Sequence, residues 1–272
     1  MRARSVQSSS LLAALIACGL AFAVYSAFPA SVATTTRPET DCYTTAKRLP
    51  KITIWAWDYP QDLSFIKPQT AQVAYYAGTV YLQGEHVFFR PRTKELKIAQ
   101  GVIAYPVLRI ESGGLAATKL KPEIYSQIVS VASELQSRHQ ARTIQIDFDA
   151  TESEHRFYSE LLKSLRAALP AGTHIQITAL ASWCTSEAWL KSGLCDEQVV
   201  MCFSMGHAGA AILPAIDRRK YTSIGLSVSE PQTNKKLKKL GFLDSARHLF
   251  VFNSRPWTNY CWLKIKEEVT VR

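Results

Sequence analysis

Several short motifs that identify common protein classes are missing from this sequence. It contains no Cys-x-x-Cys pair and no Cys/His ligand spacing, so we expect no structural zinc site. No Gly-x-Gly-x-x-Gly or Walker-type loop follows any predicted strand, which removes the usual reason to expect a nucleotide cofactor. The 32 Lys and Arg residues outnumber the 22 Asp and Glu residues, but they are scattered and form no aromatic-interleaved basic stripe. The sequence therefore predicts neither a cofactor nor a nucleic-acid partner.

The first 30 residues have the features of a targeting segment. Arg2 and Arg4 precede a polar Ser-rich stretch, and residues 11–28 are apolar and uncharged. This pattern fits a long signal peptide, an uncleaved membrane anchor, or a lipoprotein signal ending at Cys18. We predict an exported protein that is periplasmic or anchored to the outer face of the inner membrane. The membrane is a partner if the segment is not cleaved.

Export makes the cysteines candidates for disulfide bonds. Cys184 and Cys195 flank a short predicted helical segment and could pair across it. Cys42 and Cys261, near the two ends of the chain, could also pair. Cys202 lies in an apolar run, which predicts a buried free thiol.

Residues 31–49 are predicted to be a polar linker, and residues 50–272 to be one domain. Alternating apolar residues predict eight strands, separated by helices or loops, with a hairpin after the second strand. The predicted strands begin near Ile52, Gln72, Val102, Thr143, His174, Gln198, Ser223 and His248. Eight such units over this length predict a (β/α)8 TIM-type barrel, and a doubly wound open sheet is the alternative.

The fourth predicted strand ends in an unusual pair of acids. In residues 143–152, apolar residues alternate with Gln145, Asp147 and Asp149, so both acids lie on one face of the strand. Two carboxylates there are costly unless the face opens into a cleft, and their proximity should raise the pKa of one of them. We predict that Asp149 acts in acid/base chemistry with Asp147 beneath it. Alternatives are solvated carboxylates that cap the next helix, or a metal ion, which the lack of a nearby His disfavours.

Acids and tryptophans recur at the other predicted strand ends, where barrel enzymes keep their functional residues. Carboxylates beside aromatic rings suit sugar chemistry, so the expected substrate is a glycan or another polymer of the envelope. Glu111 and Glu230 are the candidates for a second catalytic carboxylate, and we expect all four acids to meet at the barrel mouth. The predicted substrate-binding residues are Trp57, Asp58, Arg109, Gln145, Glu152, Trp183, Asn253 and Trp257. An alternative interpretation is that the tryptophans only pack the barrel.

Residues 144–149 resemble the fourth-strand signature of the chitinase-like glycoside hydrolases, in which alternating acids end in a catalytic Glu. Gln145 stands where that family has its first Asp, and Thr151 stands where the acidic Glu is expected. Glu152 is one residue out of register, although in a loop it could still reach the site.

A second resemblance covers most of the exported part of the chain. Its motifs occur in order at residues 55–60, 77–79, 90–92, 106–111, 145–150, 177–184, 205–206 and 229–231. Together they resemble a bacterial envelope family known as domain-of-unknown-function family 3142. This resemblance supports the fold and the strand-end residues but implies no particular reaction. Two hypotheses follow: an exported carbohydrate-active hydrolase, or a non-catalytic glycan-binding barrel.

Overall fold

The computed structural model describes residues 51–84, 86–113, 122–185, 189 and 193–270. The predicted targeting segment, the linker and Cys42 lie outside these residues. Among the residues described, no helix has the length and apolar character needed to cross a membrane.

Eight parallel strands close into a barrel. In chain order they are β1 (Ile52–Ala56), β3 (Gln72–Gln83), β6 (Ala104–Glu111), β7 (Thr143–Asp147), β8 (His174–Leu180), β9 (Glu197–Met201), β10 (Ser223–Ser227) and β11 (His248–Phe252). Each strand pairs with the next, and β1 pairs with both β3 and β11, so the sheet has no open end among these eight strands. The (β/α)8 prediction is confirmed and the open-sheet alternative is wrong.

Three short strands extend the barrel. Strand β4 (His86–Pro91) runs antiparallel to the outer half of β3 and forms the expected hairpin, while β2 (Gln61–Leu63) and β5 (Leu96–Ile98) pair in parallel. The register of β3 against β6 shifts between Tyr76 and Gly78. A Cβ atom on Gly78 would lie 2.7 Å from the carbonyl oxygen of Arg90, so the hairpin approaches too closely there for a side chain.

The described part of the chain forms six helices between or after the strands: α1 (Pro122–Arg138), α2 (His155–Ala168), α3 (Gly209–Ala215), α4 (Pro231–Lys239), α5 (Phe242–Ser245) and α6 (Asn259–Thr270). Helix α2 shows why they pack. Phe157, Leu161 and Leu165 recur every four residues, so they share one face, and all three are buried. That face joins the large apolar layer between the strands and the helices.

The barrel interior holds a second, smaller apolar cluster that includes Trp55, Tyr105, Val107 and Phe250. Gly225 makes room for the indole of Trp55, because a Cβ atom there would lie 3.0 Å from its ring. Polar side chains lie on both sides of this cluster. The apolar cluster therefore separates a polar layer at the carboxyl ends of the strands from a second polar layer at their amino ends.

The cysteine predictions have mixed outcomes. Cys202 is buried and free, as expected, and Cys184 and Cys195 are also free thiols, so they do not form the pair that their spacing allowed. Both pack partly against the apolar core, and burial raises the pKa of Cys184 to about 12 and that of Cys195 to about 11. Their spacing in the sequence did not indicate that both would remain thiols packed against the core. The expected pair of Cys42 with Cys261 involves a residue outside those described.

A candidate active site at the carboxyl ends of the strands

Arg109 gathers three carboxylates at the barrel mouth. Its Nε lies 2.7 Å from Glu111 Oε1, and its Nη1 lies 3.1 Å from Asp147 Oδ2. Asp149 Oδ2 is further away, 3.9 Å from Nη2. Strands β6 and β7 are neighbours in the barrel and place Arg109 directly opposite Asp147, which explains why these groups meet.

Asp147 is the buried member of this cluster. Its side chain is 6% exposed, and besides Arg109 it binds the hydroxyl of Thr178, which donates to Oδ1 over 2.7 Å from the neighbouring strand β8. Burial raises the pKa of Asp147 above its ordinary value, although the Arg109 charge and the Thr178 hydrogen bond oppose this shift. Because these contacts fix the position of Asp147, its carboxyl group can orient Asp149, which lies nearer the barrel mouth.

Asp149 lies two residues beyond Asp147, just past the strand end, and its side chain is 48% exposed. Partial burial at the mouth raises its pKa to about 6, and the neighbouring Asp147 carboxylate adds to the effect. A carboxyl group with this pKa exchanges protons near neutral pH and is accessible to a ligand. The sequence-based expectation of a proton-exchanging Asp149 agrees with this environment.

Trp57 supplies an aromatic surface next to the cluster. The guanidinium carbon of Arg109 lies 5.8 Å from the centroid of the Trp57 ring, a cation–π distance. Tyr76 and Phe252 flank the same ring, with centroids 5.4 and 6.3 Å away. The ring is held from the sides and remains partly exposed at the mouth.

A second aromatic group follows β7 and β8, and sequence reasoning found only one of its members, Trp183. Its ring centroid lies 5.1 Å from that of Trp189, which stacks on His155 at 4.1 Å. Tyr158 also packs on Trp183, and its hydroxyl lies 3.4 Å from the carbonyl oxygen of Ile146. His155, Tyr158 and Trp189 occur after strand ends, the only signal that could have found them.

Glu230 is not brought into the Arg109 cluster among the described contacts. It precedes helix α4, where Oε1 accepts the Ser204 backbone N–H over 2.7 Å and Oε2 accepts the Thr233 hydroxyl over 3.0 Å. Both oxygens are thereby engaged in joining the loops after β9 and β10. This is a structural arrangement, and it leaves Glu111 as the second carboxylate beside Asp149.

Residues near the fourth-strand acids explain the departure from the chitinase-like signature. Thr151 begins a 3₁₀ turn (Glu152–Glu154), and both its backbone N–H and its hydroxyl bind Glu154, at 2.8 and 2.7 Å. Thr151 thus forms a capping box, and Glu152 is exposed on that turn. Neither residue contacts the Arg109 cluster in the described structure.

The remaining predicted residues lie in or around the barrel wall. Gln145 is fully buried and accepts the Trp55 Nε1–H over 2.6 Å. Trp257 is buried and donates its Nε1–H to the Trp55 carbonyl oxygen over 2.8 Å, while Asn253 accepts the Arg255 backbone N–H over 3.3 Å. Asp58 is half-buried, and its Oδ1 has no hydrogen-bond partner among the described residues. Asp58 therefore offers a buried acceptor atom that no described residue uses.

Within the described part of the chain, no three His, Cys, Asp or Glu side chains converge as metal ligands would. The Asp147 and Asp149 pair instead shares a guanidinium group, which occupies the position of a cation between them. The arrangement suits proton transfer and the binding of polar ligands.

The fold and this cluster define a class of protein, the (β/α)8 barrels that collect polar groups at the carboxyl ends of their strands. Within that class, a family model described as "Domain of unknown function (DUF3142)" matches residues 102–207. The match confirms the resemblance over these residues, which include Arg109, Glu111, Asp147 and Asp149. No curated protein matches the sequence significantly.

Several solved structures share the fold. The spore cortex-lytic enzyme SleL of Bacillus cereus aligns with a TM-score of 0.50 and 12% identity, over 79% of this chain and 74% of SleL. A putative chitinase A from Streptomyces coelicolor aligns with a TM-score of 0.55 and 8% identity, over 81% and 97% of the two chains. A chitinase from Bacteroides thetaiotaomicron gives 0.54 and 11%, over 81% and 97%. At these identities the likeness concerns the fold.

Proposed function

We propose that this protein is a carbohydrate-active hydrolase that acts on a glycan of the cell envelope, with Asp149 as its acid/base group. The observation that carries the proposal is the environment of Asp149. Its carboxyl group is half-exposed at the barrel mouth, and its pKa is raised to about 6 beside a buried second carboxyl group. Hydrolysis of a glycosidic bond requires such a group to protonate the leaving oxygen.

The neighbouring residues have distinct roles in this proposal. Asp147, held by Arg109 and Thr178, positions Asp149 and supports its raised pKa. Glu111 is the second carboxylate, with its Oε1 2.7 Å from Arg109 Nε. In glycoside hydrolysis the second carboxylate stabilises or attacks the sugar carbon, or activates a water molecule. Glu111 is 43% exposed and is therefore accessible for this role.

A glycan is the proposed substrate because an aromatic surface adjoins the acids. The ring of Trp57 packs beside Arg109, and a sugar ring stacked on an indole presents its hydroxyl groups to nearby polar side chains. The chitinase and cortex-lytic names of the similar folds agree with a polymeric glycan substrate. Location in the periplasm or on the outer face of the inner membrane is part of the proposal, and the uncharged apolar residues 11–28 support it.

The experiment measures the release of reducing ends from peptidoglycan and from chitin by the full-length protein. Asp149→Asn should lower the rate by roughly 10²- to 10⁴-fold, because it removes the transferable proton. Asp244→Asn is the matched control, since this exposed acid lies in α5, away from the cluster. Equal rates for the parent and Asp149→Asn would refute the assignment.

A non-catalytic glycan-binding barrel is the second candidate, and one observation favours it. Arg109 contacts all three carboxylates of the cluster, an arrangement that can fix a polar surface without transferring a proton. A binding barrel would bind the same glycan without releasing reducing ends, and a Trp57→Ala variant would lose that binding. Reducing ends that depend on Asp149 exclude this second function.

A further inference from the structure

A cavity lies at the opposite end of the barrel from the acid cluster. It occupies about 240 Å³ at the amino ends of four adjacent strands, where β8, β9, β10 and β11 begin with His174, Glu197, Ser223 and His248. Lys220 and Arg247, in the loops before β10 and β11, also line it. The proposed hydrolase function uses none of these residues.

Glu197 organises the interior wall of this cavity. Its Oε2 accepts hydrogen bonds from Gln176 at 2.7 Å and from His174 Nε2 at 3.1 Å. Its Oε1 binds His248 Nδ1 at 2.6 Å and the Ser223 hydroxyl. A carboxylate has about four lone-pair sites, so Glu197 has no remaining capacity for a ligand. Although burial acts to raise it, these hydrogen bonds hold the pKa of Glu197 well below its usual range.

The saturated Glu197 fixes the tautomers of the two imidazole rings. An ionised carboxylate only accepts, so the hydrogen atoms of His174 Nε2 and His248 Nδ1 must face Glu197. The second nitrogen of each ring is not bonded to Glu197, and both rings line the cavity. In a neutral ring this nitrogen accepts a hydrogen bond, and in a charged ring it donates one.

The charges around the cavity favour an anion. Asp196, the other acid in its lining, is held by Arg166 at 2.6 Å and by the Ile175 backbone N–H at 2.7 Å. Lys220 and Arg247 form no ion pair with a carboxylate among the residues that the structure describes. Three cations, Arg166, Lys220 and Arg247, are therefore set against the carboxylates of Asp196 and Glu197. This excess of positive charge is present even when both histidines are neutral. Both carboxylates are already satisfied. Arg247 and Lys220, whose ammonium group lies 4.9 Å from the centroid of the Tyr221 ring, therefore have no described carboxylate partner that would compete with an anionic ligand.

We propose that this cavity binds a phosphate group, carried by a compact soluble molecule or by a lipid headgroup. Phosphate oxygens match the cationic groups of Lys220 and Arg247. A phosphate monoester, whose second pKa is about 6, also keeps a hydroxyl in its monoanionic form, which is a fraction of the molecules near neutral pH, and this hydroxyl can donate to an imidazole nitrogen. A carboxylate has no such hydrogen at that pH. The volume lies below the roughly 300 Å³ of ordinary small-molecule sites, so the bound group must be small.

The test titrates the full-length protein with inorganic phosphate and follows the heat of binding. The parent should bind at one saturable site, and a Lys220→Gln/Arg247→Gln double variant should bind at least about tenfold more weakly, because it loses both charge-assisted contacts. Arg219→Gln/Lys235→Gln is the matched control: it removes the same charge from exposed side chains that do not line the cavity. The control should bind within about twofold of the parent. Absence of saturable binding by the parent, or equal binding by the cavity variant, overturns the proposal.

Histidine resonances give a second, independent measurement. The imidazole signals of His174 and His248 should shift as phosphate saturates the protein, whereas those of exposed His207, in the loop after β9, should not. Unchanged His174 and His248 signals at saturation would contradict the proposed location.

Competition then distinguishes the source of the phosphate. Vesicles of phosphatidylcholine containing phosphatidic acid should reduce the binding of inorganic phosphate if the natural ligand is a lipid headgroup. Vesicles of phosphatidylcholine alone are the reference, which corrects for insertion of the apolar N-terminal segment. Equal phosphate binding with both vesicles assigns the site to a soluble phosphorylated molecule.

Discussion

The two ends of the barrel treat carboxylates in opposite ways. At the amino ends, Glu197 receives hydrogen bonds from four side chains, and its pKa is lowered. At the carboxyl ends, the nearest described cation to Asp149 lies 3.9 Å away and a second acid adjoins it, so its pKa is raised to about 6. Between Glu197 and Asp149, the number of hydrogen bonds that the carboxylate accepts, more than its burial, decides which group keeps its proton.

The difference indicates where proton transfer is possible. Glu197 accepts hydrogen bonds from two histidines and a serine, and protonation of its carboxylate would disrupt that network. Asp149 has few partners to lose, so protonation and ionisation cost similar free energies near neutral pH. The difference is consistent with the proposed reaction at the carboxyl ends and with the proposed ligand binding by fixed groups at the amino ends.

The largest expected effect is on the pH profile of hydrolysis. If protonated Asp149 donates the proton, the rate should fall roughly tenfold for each pH unit above about 6, because the protonated fraction falls by that factor. Initial rates between pH 5 and 8 measure this, with the thermal midpoint checking that the fold persists. A rate that does not change over this range would remove the contrast between the two ends.

Arg109→Gln should have the next largest effect, on stability. It leaves the Asp147 carboxylate buried with only Thr178 as a described polar partner, and breaking such a pair costs about 3 kcal/mol. Protonation of Asp147 relieves that cost, so the loss should be larger at pH 8 than at pH 5. Urea unfolding at both pH values measures it. Arg219→Gln, which removes an exposed guanidinium paired with Asp217, should change the free energy of unfolding by about 0.5 kcal/mol or less.

Glu197→Gln tests the amino end by the same measurement, and we expect a smaller loss of stability that also shrinks as the pH falls. The amide cannot accept all four hydrogen bonds, so the free energy of unfolding should fall by roughly 1–3 kcal/mol at pH 7. Because the folded pKa of Glu197 is lowered, its contribution is present above the unfolded pKa of about 4.3 and is lost as pH falls below it. Denaturation at pH 7 and pH 3.5 should show the parent and the variant converging in acid.

Much of the acid cluster was predictable from local sequence. Alternation placed Asp147 and Asp149 on one strand face, and the pairing of consecutive strands brought Arg109 opposite Asp147. Glu111 follows two residues after Arg109 on the same face, so the same reasoning includes it. The barrel itself followed from eight repeated strand signals.

Other features depended on the depth and registration of strands, which local patterns do not encode. Gln145 shares a face with Asp147, yet it lies one layer deeper, where it binds Trp55 and Gln176. Glu230 has the sequence context of a functional strand-end acid, but the Thr233 hydroxyl and the backbone N–H of the distant Ser204 occupy its two carboxylate oxygens. The amino-end cavity combines side chains 23 and 51 residues away from Glu197, and only barrel closure brings them together.

The smallest expected effect is that of Asp149→Asn on stability. The change of this effect with pH should have the opposite sign to that of Glu197→Gln at the other end of the barrel. The folded pKa of Asp149, about 6, exceeds the unfolded value of about 3.9, so the folded state holds the proton more tightly. Stability contributed by this group is therefore present below pH 4 and is lost as pH rises toward 6. Asp149→Asn has no such titration, so its free energy of unfolding relative to the parent should increase from pH 4 to pH 7. Because Asp149 is half-exposed, solvent screening keeps the change small. Urea unfolding of the parent, Asp149→Asn and Asp244→Asn at pH 4, 5, 6 and 7 measures it, and a difference that decreases with pH would show that Asp149 is stabilised as an ion, like Glu197.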